Sequence, residues 1–451
     1  MATNKRTPNT GLARLLDEAR WSHTQLAQAV NRTGAEAGLA LKYDQSAVSH
    51  WLSGTMPSAK VRPVILEVFS RRLKRPVTYA EAGLAMPKGS GRHADGDAVE
   101  QLLDITRADM DPSRRGVLTA GLYSTALAVP LFSDLVASRG AKAAAPPPRK
   151  TGRIGQAQVD TVRKVTDRVA DILDEFGGGH ARPMAAAFLV NSVGPWLRSS
   201  AAPAVHKDLM AAASDLTYLV GWMAMYERQQ GLGQRYYVKA LELAGEAEDH
   251  VTYCRTLRGM SLQASHLGFG GRALALADSA AEAAPKAGPR LVAFLRGQQA
   301  HAAAMTGDRH TAFTRLRETE ASLSKADSQR ESIGGYDQCA YLFHVSHVLF
   351  ELRDLPGSIK ALQDSLKAQP KQERQGRVHS SALLAQRQFE LGHVDASCDT
   401  WHRFLDDYAE LSTARGDEHF ETMNRQLHPY RTSPSVRRLT ARAREVALLK
   451  A

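Results

Sequence analysis

An all-α protein is predicted from three features of this 451-residue chain. Apolar residues recur at three- and four-residue spacing over most of its length, which is the period of a single helix face. The strict apolar/polar alternation of a half-buried strand is nearly absent. After Gly152 a phrase of two helices around a small or polar turn returns several times, and such pairs bury their apolar stripes only by stacking on one another.

Bulk composition narrows the class. A hydrophobic content of 43% is ordinary for a globular chain, and the length allows more than one domain. The net charge is +11, and it is uneven: Met1 to Ser90 holds 13 Lys and Arg against 6 Asp and Glu. A concentrated positive field suits a polyanion, because each neutralised phosphate releases condensed counterions. Cys254, Cys339 and Cys398 are far apart and form no CxxC pair, so neither a disulfide framework nor a thiolate zinc site is expected. A reducing, cytoplasmic and nucleoid-associated location fits, and no basic-then-apolar leader opens the chain.

Two breaks divide the sequence. Met86 to Asp97 is Gly-rich and polar, and Gly140 to Gly152 carries three consecutive prolines that no helix interior accepts. The expected domains are therefore 1–86, a linker at 87–152, and a helical array at 153–451. Within the linker, Arg114-Arg115 precede an uncharged run from Gly116 to Ser133 that superficially resembles an export signal or a span. Its internal position and its Thr119, Ser124, Thr125 and Pro130 argue instead for a docking segment, with no membrane as partner.

The N-terminal helices follow in order. Leu12 to Ala19 places Leu12, Leu15, Leu16 and Ala19 on one side, and Thr24 to Val30 does the same with Leu26, Ala27 and Val30. An insert at 31–43 precedes a third helix with Asp44 as N-cap and Gly54 as stop, and a fourth is expected from about Ser58 to Leu73. On the third helix Val48, Trp51 and Leu52 should face the core, leaving Gln45, Ser46, Ser49 and His50 outward. Short, polar, uncharged side chains are those that read base edges from a helix in the major groove. Lys42, Lys60 and Arg62 would flank them as phosphate contacts, which fix register without reading sequence.

Thr24-Gln25-Leu26-Ala27, Gln45 to Trp51, the Gly54 to Pro57 turn and PVTYAEAGL together resemble the lambda-repressor-like, or Xre-type, helix-turn-helix family, over about Gly11 to Leu84. The resemblance implies a five-helix-type domain in which Thr24 belongs to the DNA-facing set. It also implies that Gln25 touches a phosphate and supports Gln45. The insert, about ten residues longer than the family's tight turn, departs from the pattern.

In the array, Gly268 is followed by Ala273, Ala280 and Pro285; Gly307-Asp308 by Ala312; Arg353-Asp354 by Ser358, Ser365 and Pro370; and Gly392 by Ser397. Gly231 marks an upstream copy with a shifted turn, so that turns recur every 37, 39, 46 and 39 residues. This layout resembles the tetratricopeptide family and implies a solenoid with a concave face. Positions 13, 10 and 6 before each turn would line that face: Arg255, Arg258, Leu262, Phe294, His301, Phe343, His347, His379 and Gln386. Cationic and titratable groups among aromatics suit a short peptide or small acidic ligand, with Arg255 and Arg258 as bidentate anchors.

No phosphate loop, HExxH, GxSxG or GxGxxG is present. His344 and His347 near Cys339 lack the further ligands a metal needs, and Gly177 to Gly179 read as an interhelical loop. Neither an enzyme, a cofactor nor a metal is expected. The whole chain resembles Xre-type regulators with tetratricopeptide C-terminal domains from streptomycetes, relatives of peptide-sensing quorum regulators. That implies a homodimeric, sequence-specific transcriptional regulator; the alternative is a protein-recruiting scaffold held on DNA by its basic domain.

Overall fold

The computed structural model describes residues 7–36, 38–86, 97–111, 122–142, 153–284, 287–326 and 335–450. Among these the architecture is all-α, with one isolated bridge between Arg153 and Ser200 as its β pairing. The linker at 87–96, the triple proline, Pro285 and the first part of the uncharged run up to residue 121 lie outside the described residues. The chain forms two compact units: Met1–Pro130 with Gln229–Arg235, and Leu131–Arg228 with Tyr236–Ala451. No helix among the described residues is long and apolar enough to cross a membrane.

In the first unit, α1 (Thr10–Glu18) starts where Asn9 Oδ1 accepts the Leu12 N–H at 2.9 Å. α2 (His23–Glu36) opens with a reciprocal cap: Ser22 Oγ accepts from Gln25 N–H, and Gln25 Oε1 accepts from Ser22 N–H at 2.8 Å. The helix runs six residues past the predicted Val30 because Thr33 and Gly34 continue its buried face. The rest of the insert folds back onto it. Asn31 brackets Tyr43, its Nδ2 donating to the Tyr43 carbonyl at 2.7 Å and its Oδ1 accepting the Tyr43 N–H at 2.8 Å. Gly34 permits the approach, since a Cβ there would collide with the Leu41 side chain.

α3 (Gln45–Leu52) is capped by Asp44 Oδ1 on the Ala47 N–H at 3.0 Å and closes at Gly54, whose φ is +98°. α4 (Arg62–Leu73) begins four residues later than predicted. Pro63 lacks an N–H, which suits the first turn of a helix and not its second. Leu12, Leu15, Leu26, Val48, Ile65 and Phe69 form the sealed centre of the core. Each contributes roughly 1.5–3 kcal/mol by burial.

The described end of the uncharged run docks on α4. Leu122 packs against the core, and the buried Glu67 carboxylate accepts both the N–H and the hydroxyl of Thr125 at 3.0 Å. Arg71 ties the contact together, donating to Glu67 at 2.8 Å and to the Tyr123 carbonyl at 3.3 Å. α5 (Ala98–Met110), capped by Asp97, buries Val99, Leu102 and Leu103.

The second unit opens with helix Phe132–Lys142, followed by helices Gln156–Phe176 and Gly178–Phe188, which meet at Gly177. Six hairpins follow: Pro203–Tyr226 with Gln230–Glu246, His250–His266 with Gly270–Glu282, Pro289–Met305 with Arg309–Leu323, Gln338–Glu351 with Leu355–Ala368, Arg374–Glu390 with Val394–Tyr408, and Ala414–Leu427 with Pro434–Lys450. The first five turn through a left-handed residue: Arg228, Gly268, Gly307, Arg353 and Gly392, spaced 40, 39, 46 and 39 residues apart. The first turn is thus at Arg228 and not at Gly231, which lies in the opening turn of the following helix. After the later four turns, the N–H of Phe269, Asp308, Asp354 or His393 donates to a carbonyl five residues back, ending the helix with its last carbonyls satisfied.

Within hairpins the helices approach closely enough for hydroxyls to reach the partner backbone. Ser261 donates to the Ala273 carbonyl at 2.7 Å, Ser358 to Ser346 at 2.9 Å and Ser397 to Ala385 at 2.8 Å. The predicted small positions Ala273, Ala280, Ala312, Ser358, Ser365 and Ser397 are all fully buried. The array then closes on itself. Helix Gln156–Phe176 packs against the first helix of both the first and the fifth hairpin. Ser412 N–H donates to the Phe176 carbonyl at 2.8 Å, and Ala414 N–H to Glu227 Oε2 at 3.2 Å.

Candidate functional site

Two places bring the predicted residues together. The first is the outer face of α3. Gln45, Ser46, Ser49 and His50 are exposed, while Val48 and Trp51 are buried beneath them. Trp51 is held from the side by Tyr43, edge-on at 5.0 Å, so the bracketed insert braces the same helix whose outer face is bare. Thr24 Oγ1 donates to Gln45 Oε1 at 3.4 Å, and His23 Nδ1 lies 3.1 Å from Ser49 Oγ. The side chain beside Gln45 is therefore Thr24, whereas the implied supporter Gln25 spends its carbonyl on the α2 cap. Lys42 and Lys60 are exposed, and no acidic partner is paired with either among the described residues. Arg62 differs from them: it is half-buried and donates to the carbonyls of Pro57 at 2.8 Å and Ala85 at 2.9 Å. Its guanidinium thereby ties the domain's closing segment to the start of α4.

The second place is the inner face of the closed array. Arg258 lies over Phe294 at 4.0 Å and beside Trp222 at 5.9 Å. His301 and His347 have ring centroids 4.6 Å apart, and Phe343 bridges His347 to His379. His379 is the hub: rings of Tyr226, His266, Phe343 and His419, from four other hairpins, all lie within 6.2 Å of it. Gln386 joins through His419, at 3.1 Å. Seven of the nine predicted groove residues thus converge, and Leu262 is buried. Arg255 is committed elsewhere, to Asp215 at 2.8 Å.

Burial sets the electrostatics here. Removal from water holds His266, His344, His347 and His379 well below the ordinary imidazole range, with further repulsion from Arg258, Arg387 or Arg415. His301 and His419 are pushed down to about 3 for the same reasons. The imidazoles are therefore neutral at physiological pH. Burial also lowers Arg387 to about 10, against the opposing pull of Glu351 and Glu390. His344 is satisfied by the Tyr336 hydroxyl at 2.8 Å, and among the described residues no group of His, Cys, Asp and Glu could hold a metal ion. The three cysteines are buried thiols, Cys254 raised to about 12 and Cys339 to about 11 by desolvation. Gly177 to Gly179 serve packing: Gly179 N–H donates to the Ser412 carbonyl at 2.9 Å, and a Cβ at Gly177 would collide with that same oxygen.

Residues 12–85 match the SP15 N-terminal domain. That segment spans α1 to α4 and the turn that closes them. No curated protein matches the chain.

Trp222, Tyr226, His266, Arg415 and His419 complete the inner face without having been singled out by sequence. Counting back from the turns at Gly268, Gly307, Arg353 and Gly392 reaches four of the six hairpins, and its offsets of 13, 10 and 6 pass over His266, which lies two residues before its turn. The first hairpin turns at Arg228, and the last passes through a 3-10 segment at His428–Tyr430, so neither offers the marker.

Proposed function

We propose that the chain is a sequence-specific DNA-binding transcriptional regulator, with an Xre-type helix-turn-helix domain at its N-terminus and a tetratricopeptide-like array that takes an acidic effector. The observation that carries this is the outer face of α3: four uncharged hydrogen-bonding side chains, exposed together on a helix anchored from behind by Trp51. Gln45 can pair bidentately with adenine, and Ser46, Ser49 and His50 can address neighbouring base edges. Lys42 and Lys60 supply phosphate contacts, and the charge excess of the first 90 residues supplies the sequence-independent attraction. Thr24 orients Gln45 and so contributes indirectly. A homodimer acting on paired half-sites in the cytoplasm completes the scheme, because one such small domain covers little DNA.

Selection from a random duplex library with the full-length protein, followed by competition against non-specific DNA, tests it. A regulator retains a specificity ratio of about 10³ or more over random DNA. Gln45→Ala or His50→Ala should cost about 1–3 kcal/mol on the selected site and nothing on random DNA, whereas Lys60→Ala should weaken both alike. Equal losses on both duplexes for all three variants overturn the assignment of α3. A steep but sequence-blind salt dependence for the native protein would instead mark a scaffold that DNA merely localises.

A further inference from the structure

We infer that residues 122–125 form a strap that couples the array's first hairpin to the insert bracing α3, with Arg71 as the junction. The inference rests on the roles proposed for α3 and for the array, and names the regulation that joins them. Every contact involved lies within the first unit, which includes Gln229–Arg235, the start of helix Gln230–Glu246; the rest of that helix belongs to the second unit.

Side chains from two helices read the main chain of the strap residue by residue. Arg71 Nη2 donates to the Tyr123 carbonyl at 3.3 Å. The Gln234 amide takes both polar backbone groups of Ser124, its Oε1 accepting the N–H at 2.8 Å and its Nε2 donating to the carbonyl at 2.7 Å. Glu67 Oε1 then accepts the N–H and the hydroxyl of Thr125, each at 3.0 Å. Glu67 is 3% exposed and Gln234 4%. Partial release would leave a buried carboxylate and a buried amide short of partners, and that cost makes docking close to all-or-none. A connector that only spans a gap carries no such cost.

Arg71 carries that state to α2. While Nη2 holds the strap, Nε donates to Glu67 at 2.8 Å and Nη1 to Glu36 Oε2 at 2.6 Å. A guanidinium is a rigid planar fork whose nitrogens cannot turn independently, so the strap, α4 and Glu36 are fixed relative to one another. Glu36 is the last residue of α2. On the same helix Asn31 brackets Tyr43, and the Tyr43 ring stands edge-on against Trp51 at 5.0 Å. The contacts from Gln234 to Trp51 are therefore continuous, and they end directly behind the exposed face of α3. Continuity becomes coupling only where an element has two states, and the strap, docked or released, is that element.

Amide hydrogen exchange of the full-length protein, without DNA, tests this. Gln234→Leu removes both bonds to Ser124 while keeping a good helix former in place. Exchange at Ser124 and Thr125 should quicken, and exchange at Tyr43, whose N–H donates to Asn31, should rise with it by about fivefold or more. The amide of Ala19, which closes α1 on the Leu15 carbonyl, should keep its native rate. Coupling is reciprocal, so Asn31→Ala should quicken exchange at Ser124 by a similar factor. Acceleration confined to the strap marks a passive connector, and equal acceleration at Ala19 and Tyr43 marks a general loss of stability; either result overturns the inference, as does Asn31→Ala without effect at Ser124. Should Gln234→Leu fail to fold, Thr125→Val, which removes only the hydroxyl bond to Glu67, carries the same comparison. Because DNA is absent throughout, failure of the coupling leaves the proposed role of α3 standing, and loss of DNA selectivity leaves the coupling standing.

Discussion

Acidification should unfold the array through its buried imidazoles, and the size of the effect can be worked from His301 and His419. Both fall to about 3 in the folded protein, from an ordinary value near 6.5. A group whose folded pKa is depressed contributes stability that is complete above its unfolded pKa and is lost as pH falls toward the folded one. The window here is from about pH 6.5 down to pH 3, with a slope of about 1.4 kcal/mol per pH unit for each imidazole. Between pH 7 and pH 5 the two together should remove about 4 kcal/mol, and His266, His344, His347 and His379 act in the same direction.

Asp174 opposes them. Desolvation and the nearby Glu373 raise it to about 7, so the folded protein gains roughly 2 kcal/mol on protonating it over the same range. The imidazole contribution is isolated by comparing the native chain with the double variant His301→Gln/His419→Gln in urea denaturation at pH 7 and pH 5, where Asp174 cancels. The stability difference should move by about 4 kcal/mol in the variant's favour on going to pH 5. A difference that is the same at both pH values refutes the claim that these rings are held neutral by burial.

Further outcomes are expected elsewhere. Asn31→Ala breaks both hydrogen bonds that close the insert and should cost about 1–3 kcal/mol in chemical denaturation, with faster amide exchange at Tyr43. Asp44→Ala removes the α3 cap and should cost about 1 kcal/mol of stability. Arg353 adopts φ +66° where three of its four sister turns use glycine, so Arg353→Gly should raise stability by about 0.5–1 kcal/mol, and Gly392→Ala, at φ +87°, should lower it by about 1 kcal/mol.

Much of this was legible in the residues because one physical cause dominated locally. Periodic leucines marked α1, an aspartate before a polar-apolar phrase marked the start of α3, and glycine after an apolar stripe marked three of the array's turns. The misses arise where a tertiary contact outweighs the local signal. Arg228 is left-handed because the hairpin requires a turn there, whatever the residue's own preference. α2 extends into the insert because Thr33 and Gly34 find the core, a contact no propensity encodes. Arg258 and His379 lie on the predicted face, but their meeting with Trp222, Arg415 and His419 depends on the curvature of the stack, which accumulates from small rotations between hairpins.

The bonds from Phe176 to Ser412 and from Glu227 to Ala414 change how such a stack comes apart. An open row of repeats can lose its end units one at a time, because each unit leans only on its neighbour. A hoop has no end unit to shed. Opening it anywhere exposes the histidine-lined interior at once, so a cut or strain at the last hairpin is felt at the first, and the array's melting should be abrupt where an unclosed row of the same length would fray.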